Sequence, residues 1–175
     1  MEMIWLENGP HPASLGIEQL LAQCEIGRGR APGPGGQHRN KVETKVMIEH
    51  LPTGVHAQAG ERRSQEQNRA VAIFRLRLAL ATQVRAPVAI GEARSDLWRS
   101  RCDGGRMLCN PTHQDYPALL ATALDVSAAA GWDVRKASIR LCCSMSQVLK
   151  LFKAHPPALV EVNIARSERK LRPLR

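Results

Sequence analysis

The chain is poor in aromatic residues: two Phe, one Tyr and three Trp make up 3% of its 175 residues. Gripping a single strand by stacking successive bases takes more rings than that, so this class of nucleic-acid binder is poorly supported. Long apolar runs are missing as well. No uncharged stretch approaches the ~20 residues that cross a bilayer, and Met1-Glu2-Met3-Ile4-Trp5 lacks the basic cluster and apolar core of an export signal. No membrane partner is expected, and the expected location is cytoplasmic. Cysteine is sparse and unpatterned. Cys24, Cys102, Cys109, Cys142 and Cys143 make an odd set without framework spacing, and the adjacent pair Cys142-Cys143 is badly placed to bridge to itself. They read as reduced thiols. Cys102, Cys109 and His113 match no zinc spacing, and no Walker loop is present, so neither metal nor cofactor is expected. Acidic residues are outnumbered, 16 against 25 Lys and Arg, which leaves a net charge of +9 and a pI near 10.0. The commonest soluble partner of such a field is a polyphosphate, and nucleic acid leads.

The length allows one ordinary core, or a small core with an appended module. Ile17, Leu20 and Leu21 share a face of a first helix over Ile17–Cys24, with Ser14 upstream as a cap. Glu25–Arg30 is brief and mixed. Ala31-Pro32-Gly33-Pro34-Gly35-Gly36 admits no regular structure and reads as a loop. Val42, Thr44, Val46 and Ile48 then alternate with Glu43, Lys45, Met47 and Glu49 as a half-buried strand. Leu51-Pro52-Thr53-Gly54 turns the chain into a returning strand with Val55, Ala57 and Ala59 on one face. Ser64 caps a helix running to about Val84, whose stripe of Ile73, Leu76, Leu80 and Val84 should lie across the sheet.

Gln83 to Pro111 loses periodicity and suits a linker. Four short helices follow at Pro117–Ala130, Val134–Leu141, Met145–Lys153 and Pro157–Ser167, with Gly131 as a stop and Asp133 as a cap. The second and third, joined through Cys142-Cys143-Ser144, have helix-turn-helix spacing. Core packing of Ile139, Leu141, Val148, Leu149 and Leu151 accounts for that pattern at least as well. Ser146, Gln147 and Lys150 are a thin set for reading a groove. The expected fold class is α+β: a small sheet with a packed long helix and an exposed Gly-Gly-Gln loop, followed by a small all-α, helix-turn-helix-like module. Residues 1–84 are expected to form the first domain, 85–111 a linker, and 112–175 the helical module with a basic tail.

The chemistry concentrates in Gly33-Pro34-Gly35-Gly36-Gln37-His38-Arg39-Asn40-Lys41. Consecutive glycines let a large partner approach the main chain closely. Gln37 offers an amide that can donate to a developing oxyanion or orient water, but it removes a proton poorly near neutrality. Such a loop needs a partner that holds the substrate and excludes bulk water. Arg28, Arg30, His38, Arg39, Asn40, Lys41 and Lys45 around it, with Arg62, Arg63 and Arg69 further on, suit phosphate backbones and make the candidate RNA-binding set. Arg75 and Arg77 belong to the same basic run, for which a solvated helix face is the simpler alternative.

These residues, together with Asn40-Lys41-Val42-Glu43-Thr44, Leu51-Pro52-Thr53-Gly54-Val55 and Glu61-Arg62-Arg63-Ser64-Gln65-Glu66-Gln67-Asn68-Arg69, resemble the catalytic domain of class I peptide chain release factors. The resemblance covers roughly Cys24 to Val84 and runs through several motifs in order. It implies a loop that enters the peptidyl transferase centre of the ribosome and promotes water attack on the ester of P-site peptidyl-tRNA, with Gly35, Gly36 and Gln37 as the catalytic positions. It also implies contact with large-subunit rRNA, and a glutamine methyltransferase that modifies Gln37. Arg39 departs from the family's usual valine. The decoding tripeptides Pro-x-Thr and Ser-Pro-Phe do not occur in this sequence. The chain therefore looks similar to short, codon-independent relatives that rescue stalled ribosomes, with the helical module aiding docking. A nucleic-acid-binding regulator built on the helix-turn-helix, and a ribosomal A-site protein without hydrolytic activity, are the alternatives.

Overall fold

The computed structural model describes residues 3–29 and 44–175. Its elements in chain order are β1 (Ile4–Trp5), a 3-10 turn at Pro12–Ser14, α1 (Ile17–Leu21), β2 (Cys24–Gly29), β3 (Lys45–His50), β4 (Val55–Ala59), α2 (Gln65–Gln83) and β5 (Val84–Arg85). Then follow α3 (Asp96–Arg101), β6 (Cys102–Asp103), β7 (Arg106–Met107), α4 (Tyr116–Ala129), α5 (Val134–Arg140), α6 (Met145–Ala154) and α7 (Pro156–Glu168). Among the described residues, small sheets and seven α-helices give the α+β class expected from the sequence. Two compact units divide the chain: Leu15–Leu80, and Met1–Ser14 together with Ala81–Arg175. Among the described residues no helix is long and apolar enough to cross a membrane.

In the unit Leu15–Leu80, β2, β3 and β4 form an antiparallel sheet in that order, with Gly29 opposite Lys45, Val46 opposite Ala59 and His50 opposite Val55. The period of two places Val46, Ile48 and His50 on the covered face, each 2% exposed, with Val55 and Ala59 beside them. Glu25–Arg30 showed no pattern of its own, yet its first five residues are strand, because the ladder to β3 satisfies their backbone groups. Gly27 serves close approach here: a Cβ on it would sit 3.4 Å from Met47 Cε. On α2 the apolar stripe buries Ala72, Leu76 and Leu80 completely. Asn68 N–H donates to Ser64 C=O at 3.1 Å at the helix start. The expected cap of the first helix is absent; Gly16 occupies that position without a side-chain bond.

His50 is buried with both ring nitrogens in hydrogen-bond reach of side chains. Its Nδ1 lies 2.8 Å from Thr53 Oγ1 and its Nε2 2.9 Å from Gln23 Oε1, an arrangement met by a single ring proton on Nε2. Burial pushes its pKa below 6.5. The unfolded chain therefore binds the extra proton first, and the stability His50 contributes is lost as pH falls below 6.5. Urea unfolding at pH 7.5 and at 5 should show a larger acid loss for wild type than for His50→Gln; equal losses would remove His50 as the cause.

In the second unit, β1 and β5 pair in parallel, Ile4 opposite Val84 and Trp5 opposite Arg85, and Leu6 N–H donates to Arg85 C=O at 2.9 Å. His11 fastens the same segment, with Nε2 3.0 Å from Val84 C=O and Nδ1 accepting from Ala13 N–H at 3.0 Å. The helix ending at Gln83 stops because Val84 enters this ladder. α4 is the centre of the unit, its Leu119, Leu120, Ala121 and Ala123 fully buried. Trp98 Nε1 donates to Leu141 C=O at 3.0 Å and Tyr116 Oη to Leu151 C=O at 2.7 Å, so both buried rings satisfy their polar atoms. Asp133 caps α5 by accepting from Arg135 and Lys136 N–H, and Ser144 caps α6 through Gln147 N–H. Arg85, 0% exposed, sits 3.0 Å from Asp125 and also donates to the Ala81 and Thr82 carbonyls. Burial raises the Asp125 carboxyl and lowers the guanidinium.

Several boundaries differ from the sequence reading. Residues 3–14 belong to the same unit as Ala81–Arg175, because strand pairing joins Ile4 to Val84 across a long span of chain. Residues 85–111 are no bare linker; they hold β5, α3 and the β6–β7 pair. Ile139 is 69% exposed, so it is not a core residue. The basic tail is not free. Asn163 Nδ2 donates to Leu174 C=O at 3.1 Å, Leu174 N–H donates to Asn163 Oδ1 at 2.7 Å, and Arg166 holds Arg172 C=O through Nε at 2.9 Å.

Candidate functional site

Gly35, Gly36 and Gln37, with Arg30, His38, Arg39, Asn40 and Lys41, lie outside the described residues. What the structure does describe is the frame around them. Gly29 ends β2 and Lys45 begins β3, and the two are register partners, so the chain leaves and re-enters the sheet at one edge. Neighbouring positions on a strand face opposite sides. Arg28, opposite Val46, is exposed on the Val46 side of the sheet, while Lys45 lies on the other side, its Cδ passing over Gly29. The two cations bracket the edge and do not share a face.

Arg62, Arg63 and Arg69 are exposed around the start of α2. Arg75 and Arg77 drop out of this cationic set. Arg75 donates to Gln58 C=O at 2.9 Å and to Glu61 Oε1 at 2.6 Å, joining the end of β4 to the helix. The Gly60 and Glu61 backbone amides and Arg75 hold the Glu61 carboxyl below its ordinary range. Arg77 is only 9% exposed.

One residue of the site was absent from the sequence-based set. Asn68, fully buried on α2, donates from Nδ2 to Thr44 C=O at 2.6 Å and to Arg62 C=O at 2.9 Å, and accepts from Arg62 N–H at 2.9 Å. A single carboxamide thus ties the start of β3 to the turn carrying Arg62 and Arg63. Only its place in the Glu61–Arg69 motif could have signalled it. Removing the side chain leaves three main-chain groups without their partner, so Asn68→Ala should lose about 1–3 kcal/mol of stability. Urea midpoints of the purified variant measure this, and an unchanged midpoint would show the clamp to be dispensable.

Among the described residues no group of three or more His, Cys, Asp or Glu could hold a metal ion. All five cysteines are free, and burial pushes Cys143 up to about 12, which makes it a poor nucleophile. The described frame therefore offers hydrogen-bond donors and cations.

The family described as RF-1 domain matches residues 17–103. This segment is an RF-1 domain. The RF-1 domain is the catalytic Gly-Gly-Gln domain of class I release factors. The peptide chain release factor 1 of Acidiphilium cryptum (strain JF-5) is 45% identical over 84 residues, 48% of this chain and 24% of that protein. Peptide chain release factor PrfB1, chloroplastic, of Arabidopsis thaliana is 43% identical over 106 residues, 59% of this chain and 23% of that protein. The peptide chain release factor 1 of Caulobacter vibrioides is 38% identical over 96 residues, covering 55% and 26%. The chain spans about a quarter of the length of these relatives. The RF-1 domain match extends past the helix expected to end the first domain, through α3 and β6.

Proposed function

We propose that this protein hydrolyses the ester of peptidyl-tRNA on the ribosome, with Gly35, Gly36 and Gln37 as the catalytic residues. The observation that carries this reading is that the tripeptide stands in an RF-1 domain, in the segment whose two ends meet at the Gly29–Lys45 edge of the sheet. The described part of the domain supplies main-chain amides and positive charge, which fits a hydrolase completed by its partner. Arg28, Lys45, Arg62, Arg63 and Arg69 would contact rRNA or tRNA phosphates, together with Arg30, His38, Arg39, Asn40 and Lys41, and a methyltransferase acting on Gln37 is a further partner. Release is proposed to be codon-independent, a rescue of stalled ribosomes, a reading supported by the helical module into which the residues after the matched segment fold.

The test is release of labelled peptide from ribosomes stalled on a message without a stop codon. Release by the wild-type protein is expected. No release on that message, but release with a stop codon in the A site, would refute codon independence and keep hydrolysis; no release on either would sink both.

A further inference from the structure

We infer that α5 and α6 carry a preformed RNA-docking surface, in which Arg135, Lys136, Lys150 and Lys153 engage the phosphate backbone. The charge of this protein is not spread evenly. Residues 134–175 hold ten Lys and Arg against only Glu161 and Glu168, a surplus of eight, where the whole chain has a net charge of +9. The cations around α3 are neutralised: Arg94 pairs with Glu92, Arg99 with Asp96 and Arg101 with Asp115. Arg135, Lys136, Lys150 and Lys153 are exposed and make no ion pair among the described residues.

Their placement follows from helix geometry. On α6, Ser146, Lys150 and Lys153 recur at i, i+4 and i+7 and so share one side, while Val148, Leu151 and Phe152 are buried on the other. On α5, Arg135, Lys136 and Ile139 point outward, opposite Ala137 and Ser138. Trp98 holds the Leu141 carbonyl between the two helices, and Ser144 caps the second, so the cations stand on fixed elements. The C-terminal residues do not supply a free arm in their place, since Asn163 and Arg166 hold them along α7.

A rigid, mostly lysine surface with few amide or hydroxyl groups suits phosphates, whose contacts position a protein without reading sequence. That the nucleic acid is RNA rests on the ribosomal reading above. Each neutralised phosphate releases counterions, so binding through this surface must weaken with salt.

The experiment measures binding of the full-length protein to a fluorescein-labelled RNA hairpin by anisotropy from 50 to 200 mM KCl. It compares wild type with the triple variant Arg135→Gln/Lys150→Gln/Lys153→Gln, and with Arg99→Gln as a paired-cation control. All four substituted side chains are exposed, and thermal melts report whether folding is kept. The triple variant should bind about a hundredfold more weakly near 100 mM salt, with a slope of log affinity against log salt shallower by about 2–3, and the control should match wild type. Unchanged affinity and slope in the folded triple variant overturn the surface. Equal or tighter binding of a DNA duplex of the same sequence overturns the choice of RNA. If wild type binds RNA in this salt-dependent way but releases no peptide, the hydrolase reading fails and the surface stands.

Discussion

Gln37→Ala should lower ribosome-dependent peptide release by about a hundredfold to a thousandfold, the loss seen when one preorganised oxyanion donor is removed. The substitution takes away the side-chain amide and keeps the main-chain N–H, so some release should remain. Gly36→Ala should be at least as damaging if the main chain there approaches the substrate closely, because a Cβ takes up the space that glycine leaves open. Both changes are uncharged and leave Arg28, Lys45, Arg62, Arg63 and Arg69 in place. The effect should therefore fall on the maximal rate of release and spare the protein concentration at half-saturation. Single-turnover release from stalled ribosomes, titrated with each variant, separates these quantities. A Gln37→Ala protein with wild-type release would remove the tripeptide from the chemistry.

Asp125→Ala should be the most destabilising single change among those considered, by about 3–5 kcal/mol, because it strands a charge in the interior. Arg85 has no solvent exposure, and its Nε already lacks a partner. Its remaining donors go to Asp125 and to the Ala81 and Thr82 carbonyls near the end of α2. Asp125 also accepts from Ala86 N–H at 3.2 Å, so the same carboxylate steadies the chain just after β5. The double variant Arg85→Met/Asp125→Leu should recover much of the loss, since an apolar pair of similar volume carries no desolvation penalty. Denaturant unfolding of both proteins tests the argument. A single variant within about 1 kcal/mol of wild type would show that water or rearrangement relieves the guanidinium.

Where the signal was local, the sequence was a good guide. The four helices of the C-terminal module start and stop within a residue or two of their expected limits, because Asp133, Ser144 and the apolar repeats act within a turn or two. The hairpin is equally local: Gly54 takes φ +67° in the turn, and alternation carries both strands. The frame of the site was only half legible. Arg62, Arg63 and Arg69 were identified as exposed cations, but Arg75 read the same way and is committed to Gln58 and Glu61. A side chain's spare valence depends on neighbours that periodicity does not report.

By itself the sequence determined the helix and hairpin pattern, the concentration of charge in residues 134–175 and the motifs that mark an RF-1 domain. All of these rest on residue type and short spacing. Only the tertiary structure decided that Ile4 pairs with Val84, that Asn68 joins Thr44 to Arg62, that Arg85 is buried against Asp125 and that the C-terminal residues are tied to α7. Each is a contact between separated segments, formed only where packing removes water from both partners and leaves their polar groups to satisfy one another.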